Sequence, residues 1–166
     1  MKITSLTQDD ISHIVSAFEE IGWNKPASLY NTYLQEQVKG QRCVWIAFKE
    51  GKFAGYVTLK WHSEYLPFKA KDIPEISDLN VLPEFRRQEI GTKLLDLAEA
   101  EAFKKSATVG IGVGLSFDYG NAQRLYVKRG YLSDGLGVTY RYKPVAPGGT
   151  VQVDDDLILW FTKRVV

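Results

Sequence analysis

An α/β or α+β layered fold, a mixed sheet with helices on its faces, is predicted by three observations. Strand-like and helix-like stretches follow one another in the order β-α-α-β-β-β-α-β-α-β-β. The early strands read as a hairpin, whereas later ones are separated by helical stretches that act as crossovers. The length, 166 residues with 45% hydrophobic, suits one ordinary globular domain. No repeat, low-complexity tract or linker divides the chain, so a single domain over residues 1–166 is expected.

Ile3 to Leu6 form the first short strand, and Thr7 is placed to cap a helix. Ile11, Ile14, Val15 and Phe18 recur at helical spacing up to Gly22. A second helix starts near Pro26, carries Leu29, Tyr30, Tyr33, Leu34 and Val38, and stops at Gly40. Strands follow at Cys43–Phe48 and Phe53–Trp61, joined by the turn Lys49-Glu50-Gly51-Lys52. Ser63 to Pro74 read as a loop. Glu75 to Leu82 read as a strand closed by Pro83. Ile90 to Lys105 are the clearest helix, with Ile90, Leu94, Leu95, Leu97, Ala98 and Ala102 on one apolar stripe. Thr108–Leu115 is a strand in which glycines 110, 112 and 114 alternate with apolar residues. A short helix over Asn121–Arg129 ends at Gly130. Strands at Tyr131–Tyr140 and Leu157–Thr162 complete the chain.

The charge is nearly balanced, 21 Lys+Arg against 20 Asp+Glu. A net charge of +1 supplies no strong global field for nucleic acid or an anionic membrane, and neither partner is expected. One cysteine, Cys43, excludes an internal disulfide, and two histidines, His13 and His62, exclude a histidine-rich metal centre. No metal is expected. The first ten residues lack the apolar stretch of a secretory leader, and no run approaches the ~20 residues of a membrane span. A cytoplasmic protein is expected.

Chemistry concentrates between Ile76 and Leu95. A strand runs into the polar loop Arg86-Arg87-Gln88-Glu89, and Ile90-Gly91-Thr92 open the strong helix. The first N–H groups of a helix have no intrahelical partner, and its dipole adds positive charge there. Gly91 admits a ligand close to the backbone. The combination suits a pyrophosphate. The glycine spacings of a Walker A loop and of the dinucleotide fingerprint are both absent. The alternative is a plain strand–helix junction with solvated arginines.

Arg86-Arg87-Gln88-Glu89-Ile90-Gly91, followed by Leu94-Leu95, resembles the Arg/Gln-x-x-Gly-x-Gly/Ala signature of the GNAT superfamily of acyl-CoA-dependent N-acyltransferases. Ala122-Gln123-Arg124-Leu125-Tyr126-Val127-Lys128-Arg129-Gly130-Tyr131 resembles the same family's Ala-x-x-Leu-Tyr-x-x-x-Gly-Phe/Tyr block. The two stand in the family's order with a strand between them. Two positions depart from the pattern. Glu89 replaces the signature's first glycine. Tyr119 stands where many members carry the asparagine that touches the cofactor arm, with Asn121 nearby as its substitute or as a helix cap.

The resemblance implies transfer of an acetyl group from acetyl-CoA to an uncharged primary amine. In that reading Arg86, Arg87, Gln88, Glu89, Ile90, Gly91 and Thr92 hold the pyrophosphate, mostly by backbone N–H groups. Leu79, Asn80 and Val81 lie on the strand whose backbone pairs with the pantetheine arm and offers an N–H to the oxyanion. Tyr126 is the expected general acid, with a packed aromatic as its alternative. Glu75 and Asp78 are the carboxylates available as base, the alternative for Asp78 being a loop-fixing hydrogen-bond role.

Trp23, Tyr30, Tyr33 and the Tyr65–Phe68 loop are expected to line the acceptor side. Asp154, Asp155 and Asp156 either attract a cationic amine or form a solvated turn. The acceptor is a small-molecule or peptide amine, and a homodimer through the closing strands is among the expected states. The competing reading is a non-catalytic acyl-CoA sensor or partner-binding module on the same fold.

Overall fold

Apolar patterning builds the chain as two compact units, residues 1–61 with 76–101, and 62–75 with 102–166. The computed structural model describes all of residues 1–166. In the first unit β1 (Lys2–Ser5) pairs antiparallel with β2 (Arg42–Lys49), and β2 pairs antiparallel with β3 (Lys52–Lys60). The β2–β3 turn places Glu50 at φ +52° and Gly51 at φ +77°. Two successive left-handed residues let so short a turn follow the strand twist. The strand order is β1-β2-β3-β4, with β4 spanning Glu75–Val81.

Helix α1 (Asp10–Glu20) buries Ile11, Ile14 and Phe18 along one face. Thr7 does not cap it. Its N–H and hydroxyl both donate to Asp10 Oδ2, at 2.8 and 2.7 Å, so the carboxylate in the helix's first turn does the tying. Gly22, at φ +73°, ends the helix with the left-handed residue that favours glycine. Helix α2 (Ala27–Val38) starts directly after Pro26 and buries Tyr30 and Tyr33. The core joins these helices to β2 and β3. Phe18 meets Phe53 and Tyr56 edge-on at 5.6 and 6.1 Å, and Tyr30 meets Tyr56 at 5.5 Å. Such aromatic contacts add about 1 kcal/mol each beyond the area they bury.

A 3₁₀ turn (Pro83–Phe85) follows β4. A short helix, α3 (Leu66–Lys69), precedes β4 in the chain and belongs to the second unit. Helix α4 then runs from Ile90 to Ala102. Ile90, Leu94, Leu95 and Ala98 are buried, as the stripe requires, but Leu97 at its rim is 39% exposed. The helix stops short of Lys105, because the Lys105 and Ser106 N–H groups both turn back to the Ala102 carbonyl.

In the second unit the order is β5-β8-β6-β7: β5 (Thr108–Gly114), β8 (Leu157–Arg164), β6 (Leu132–Tyr140) and β7 (Lys143–Pro144). Each neighbouring pair is antiparallel. The glycines of β5 are explained by rings. A Cβ at Gly110 would lie 2.1 Å from Phe68, one at Gly112 2.9 Å from Trp160, and one at Gly114 2.4 Å from Tyr119. Tyr65 stacks on Trp160 at 4.2 Å, and Phe68 meets it edge-on at 5.4 Å. The expected loop 63–74 therefore contains α3, a single turn with Pro67 near its start that buries Phe68. Elements as short as α3 and β7 carry no readable period. A 3₁₀ turn (Phe117–Tyr119) leads into α5 (Gly120–Lys128).

Gly55 on β3 has a close approach of another kind. A Cβ there would stand 2.4 Å from the Asn80 carbonyl oxygen and 3.1 Å from Val81 Cα, both backbone atoms that cannot swing aside. Gly55→Ala is expected to cost about 2–3 kcal/mol by overpacking. Urea denaturation of the two proteins measures it, and a loss below about 0.5 kcal/mol would mean that β4 yields freely.

Candidate active site

Strand β4 departs from extended geometry at Asp78, where φ is +52°. A left-handed aspartate inside a strand re-aims its side chain as a bulge does, at a cost of about 1–3 kcal/mol that its surroundings must offset. Four donors supply the offset. Lys25 Nζ donates to Oδ1 at 3.0 Å, and Asn80 Nδ2 donates to the same oxygen at 2.8 Å. Tyr33 donates its hydroxyl to Oδ2 at 2.9 Å, and the Tyr56 hydroxyl donates to Oδ2 as well. Lys25 Nζ also donates to the Tyr56 oxygen at 3.3 Å. Burial pushes the Asp78 carboxyl up, but the Lys25 charge and the hydrogen bonds from Tyr56, Lys25 and Tyr33 outweigh it, and the group sits below the usual carboxylate value. Burial and the Asp78 charge raise both Tyr33 and Tyr56, so their hydroxyls stay protonated donors. The Lys25 and Asp78 side chains are 23% and 20% exposed, so solvent reaches the pair.

Arg42 braces this cluster. Its guanidinium lies 4.2 Å from the centre of the Tyr33 ring, donates to Thr58 Oγ1 at 2.7 Å and pairs with Glu36. The expected lining residues divide. Tyr33 reaches Asp78 and Trp23 is half-buried, but Tyr30 is wholly buried, so it packs the core.

At the junction of β4 and α4, Arg86 to Glu89 are exposed. Arg87 (φ +57°) and Glu89 (φ +63°) both adopt the left-handed backbone that favours glycine, which explains why a glycine would suit position 89. Arg86 Nε donates to the Val81 carbonyl at 3.3 Å, and its guanidinium lies 5.8 Å from the Trp23 ring centre. Gln88 Nε2 donates to the Glu84 carbonyl at 3.0 Å and accepts from Lys49. These side chains are engaged with the unit itself. What the junction offers a ligand is backbone: Lys93 N–H is bonded to the Glu89 carbonyl, and Ile90, Gly91 and Thr92 precede it in the first turn. A Cβ at Gly91 would meet only Val81, at 3.7 Å, so packing within the protein does not require glycine there. The donor set fits an anionic diphosphate, and the exposed Glu89 carboxylate carries the same sign of charge as that ligand. Leu79, Asn80 and Val81 are half-buried on β4.

The second unit holds the other predicted residues. Tyr126 in α5 is 5% exposed, with its ring 5.9 Å from that of Tyr131, and burial pushes its hydroxyl well above the ordinary tyrosine value. Asn121 is exposed in the first turn of α5 and does not cap it. The capping position is Tyr119, whose hydroxyl donates instead to Asp155 at 2.7 Å. Glu75 is 4% exposed and accepts the Ser63 hydroxyl at 2.6 Å, whereas Asp78 is open to solvent. Tyr65 and Phe68 are buried against Trp160 and so serve packing. Asp154 and Asp156 accept from Tyr140 and Arg141, which ties the acidic turn to its own unit. Lys25 and Tyr56 join the site only through the fold. Tyr56 lies in an apolar strand and Lys25 in a polar loop, and neither position carries a local motif.

Asp78 also makes a stability prediction. Its folded pKa is lowered, so the unfolded chain binds more protons in acid. The linked stability is therefore complete above the unfolded value near about 4 and is lost as pH falls through the folded value. Wild type should exceed Asp78→Asn by about 1–3 kcal/mol at neutral pH. That margin should shrink towards about pH 3 in urea titrations, and a pH-independent margin would contradict the assignment.

An aminoalkylphosphonate N-acetyltransferase of Salmonella typhimurium (strain LT2) is 34% identical over 86 residues, covering 52% of this chain. The matched stretch spans only about half, 54%, of that relative's own length. A ribosomal-protein-alanine N-acetyltransferase from Brucella melitensis superposes with a TM-score of 0.72 at 16% identity, over 99% of this chain and 100% of its own. An aminoglycoside 6'-N-acetyltransferase solved with coenzyme A superposes with a TM-score of 0.68 at 16% identity, over 100% of this chain and 98% of its own. At such identities the likeness establishes the fold, and the predicted α/β class with it. The sequence pattern of the acetyltransferase (GNAT) family matches residues 9–131, and the chain belongs to that family.

Proposed function

We propose that the protein is an N-acetyltransferase that moves the acetyl group of acetyl-CoA to a primary amine, and that residues 1–166 work as one domain in doing so. The observation that carries this reading is the β4–α4 junction, a strand entering a helix whose first turn presents backbone donors in a chain of this family. Family membership across residues 9–131, which spans parts of both units, supports the single working domain. Acetyl-CoA, once bound, supplies the acetyl group as a thioester. Ile90, Gly91 and Thr92 would hold its pyrophosphate through N–H groups, with Arg86, Arg87 and Gln88 shaping the loop around them. Leu79, Asn80 and Val81 would offer backbone groups to its amide-rich arm, and Asn121 a side-chain contact.

Tyr126 would keep a proton on its phenol oxygen for the departing thiolate. Burial keeps that hydroxyl protonated, so the proton is present at neutral pH. Of the two carboxylates, solvent-accessible Asp78 is better placed than enclosed Glu75 to meet an incoming amine. The acceptor is read as a small-molecule or peptide amine. Aminoalkylphosphonate and aminoglycoside acetyltransferases among the similar proteins agree with a small amine.

One observation favours the second reading, an acyl-CoA sensor without turnover. Glu89 puts a carboxylate at the start of α4, where a diphosphate would otherwise meet only donors. Calorimetric titration with acetyl-CoA tests both readings, and no binding at millimolar cofactor would sink both. If Glu89 faces the pyrophosphate, Glu89→Gly should bind about three- to tenfold tighter. Unchanged affinity would show that it points away.

Tyr126→Phe should lower kcat by about 10²-fold while changing the Kd for acetyl-CoA less than about twofold. Wild type should show no alkaline loss of rate from this tyrosine near its ordinary pKa of about 10. Steady-state rates over pH, with release of free thiol as the signal, decide it. An undiminished kcat would remove Tyr126 from the acid role.

A further inference from the structure

The Lys25–Asp78 contact has the form of a bound ligand. Lys25 Nζ is a primary ammonium, held by Asp78 Oδ1 at 3.0 Å and the Tyr56 hydroxyl oxygen at 3.3 Å, and it lies 5.9 Å from the centre of the Tyr56 ring. A carboxylate, a hydroxyl oxygen and an aromatic face are together the chemistry that recognises an alkylammonium ion.

We propose that Asp78 Oδ1 and the Tyr56 hydroxyl form the subsite for the acceptor's ammonium group, and that Lys25 is an internal occupant which the acceptor displaces. The inference rests on the acetyltransferase reading for the word acceptor, but the ammonium subsite itself rests on geometry.

Three observations support displacement. Lys25 lies between α1 and α2, outside any helix or strand, so no backbone ladder holds it. Its side chain and that of Asp78 are both open to solvent at about one fifth of their surface, which gives a competing cation a way in. When Lys25 leaves, Asp78 keeps the hydrogen bonds from Tyr33, Tyr56 and Asn80, so the anion stays oriented. An aspartate so placed, without its cation, is a part-buried negative charge that favours a replacement of like chemistry. The class of acceptor that fits is an unbranched aliphatic primary amine, because the position now holds the end of a lysine side chain.

Lys25→Met keeps most of the aliphatic stem and removes the charge, and Lys25→Gln is a second way to empty the subsite. The probe is n-butylammonium chloride, titrated without cofactor against sodium chloride at equal ionic strength. Chemical shifts and melting temperature are the readouts. Either variant should bind the probe about fivefold more tightly than wild type. The gain should vanish when Asp78→Asn is added to whichever lysine variant folds with a normal melting curve. In turnover, where the bound ammonium gives a proton to Asp78 or to water before its nitrogen attacks, the same variants should lower the KM for n-butylamine by a similar factor.

Equal probe binding in wild type and variants, or a gain that survives Asp78→Asn, would overturn the proposal. The two arms separate it from the broader reading. Tighter probe binding with no acetylation of any amine would leave the subsite standing and remove the enzyme. Acetylation with an unchanged KM and unchanged probe binding would leave the enzyme standing and remove the subsite.

Discussion

The first unit depends on one carboxylate held in an unfavourable backbone. Asp78 sits at φ +52° within β4, and donors from four places in the sequence converge on it: Lys25, Tyr33, Tyr56 and Asn80. Each hydrogen bond to an ionised group contributes about 1.5–3 kcal/mol where solvent is limited, enough together to outweigh the cost of the left-handed residue. The arrangement ties the loop after α1, helix α2 and strand β3 to β4 by polar contacts, beside an apolar core that already joins the same elements. Gly55 sets the other limit. It lets β3 approach the Asn80 backbone closely enough for this convergence to form.

The same hub bears on chemistry. A carboxylate below its usual pKa is a steady anion and a weak base at neutral pH. It is therefore better suited to holding a cation than to retaining a proton. Loss of a neighbouring positive charge would raise its basicity, so the occupancy of the subsite and its proton affinity are coupled. At the β4–α4 junction the electrostatics run the other way. Backbone donors dominate there, and the Arg86 and Gln88 side chains are engaged with Val81, Glu84 and Lys49.

Long elements were legible in the sequence because their periods were. The stripe of α4 and the Glu50-Gly51 turn are local signals, read without tertiary information. The β4–α4 junction was legible for the same reason, as a polar loop before a strong helix. Tyr126 became a candidate only through resemblance to a family block, since a tyrosine on a short helix says nothing by itself. Lys25 was not legible. It meets Asp78 across 53 positions of sequence, and no pattern in a single chain marks such a pair. Burial was the other blind spot. Tyr30, Tyr65 and Phe68, which the family resemblance puts on the acceptor side, are core by packing.

On β5, the work of filling space has passed from the strand to rings carried elsewhere in the second unit. Glycines 110, 112 and 114 leave room that Phe68, Trp160 and Tyr119 occupy. Volume can leave that face by trimming a ring, but none can enter through the strand. Trimming a buried ring leaves a cavity and adding a side chain to the strand makes a clash, so the plainest stretch of the sequence is confined from both directions.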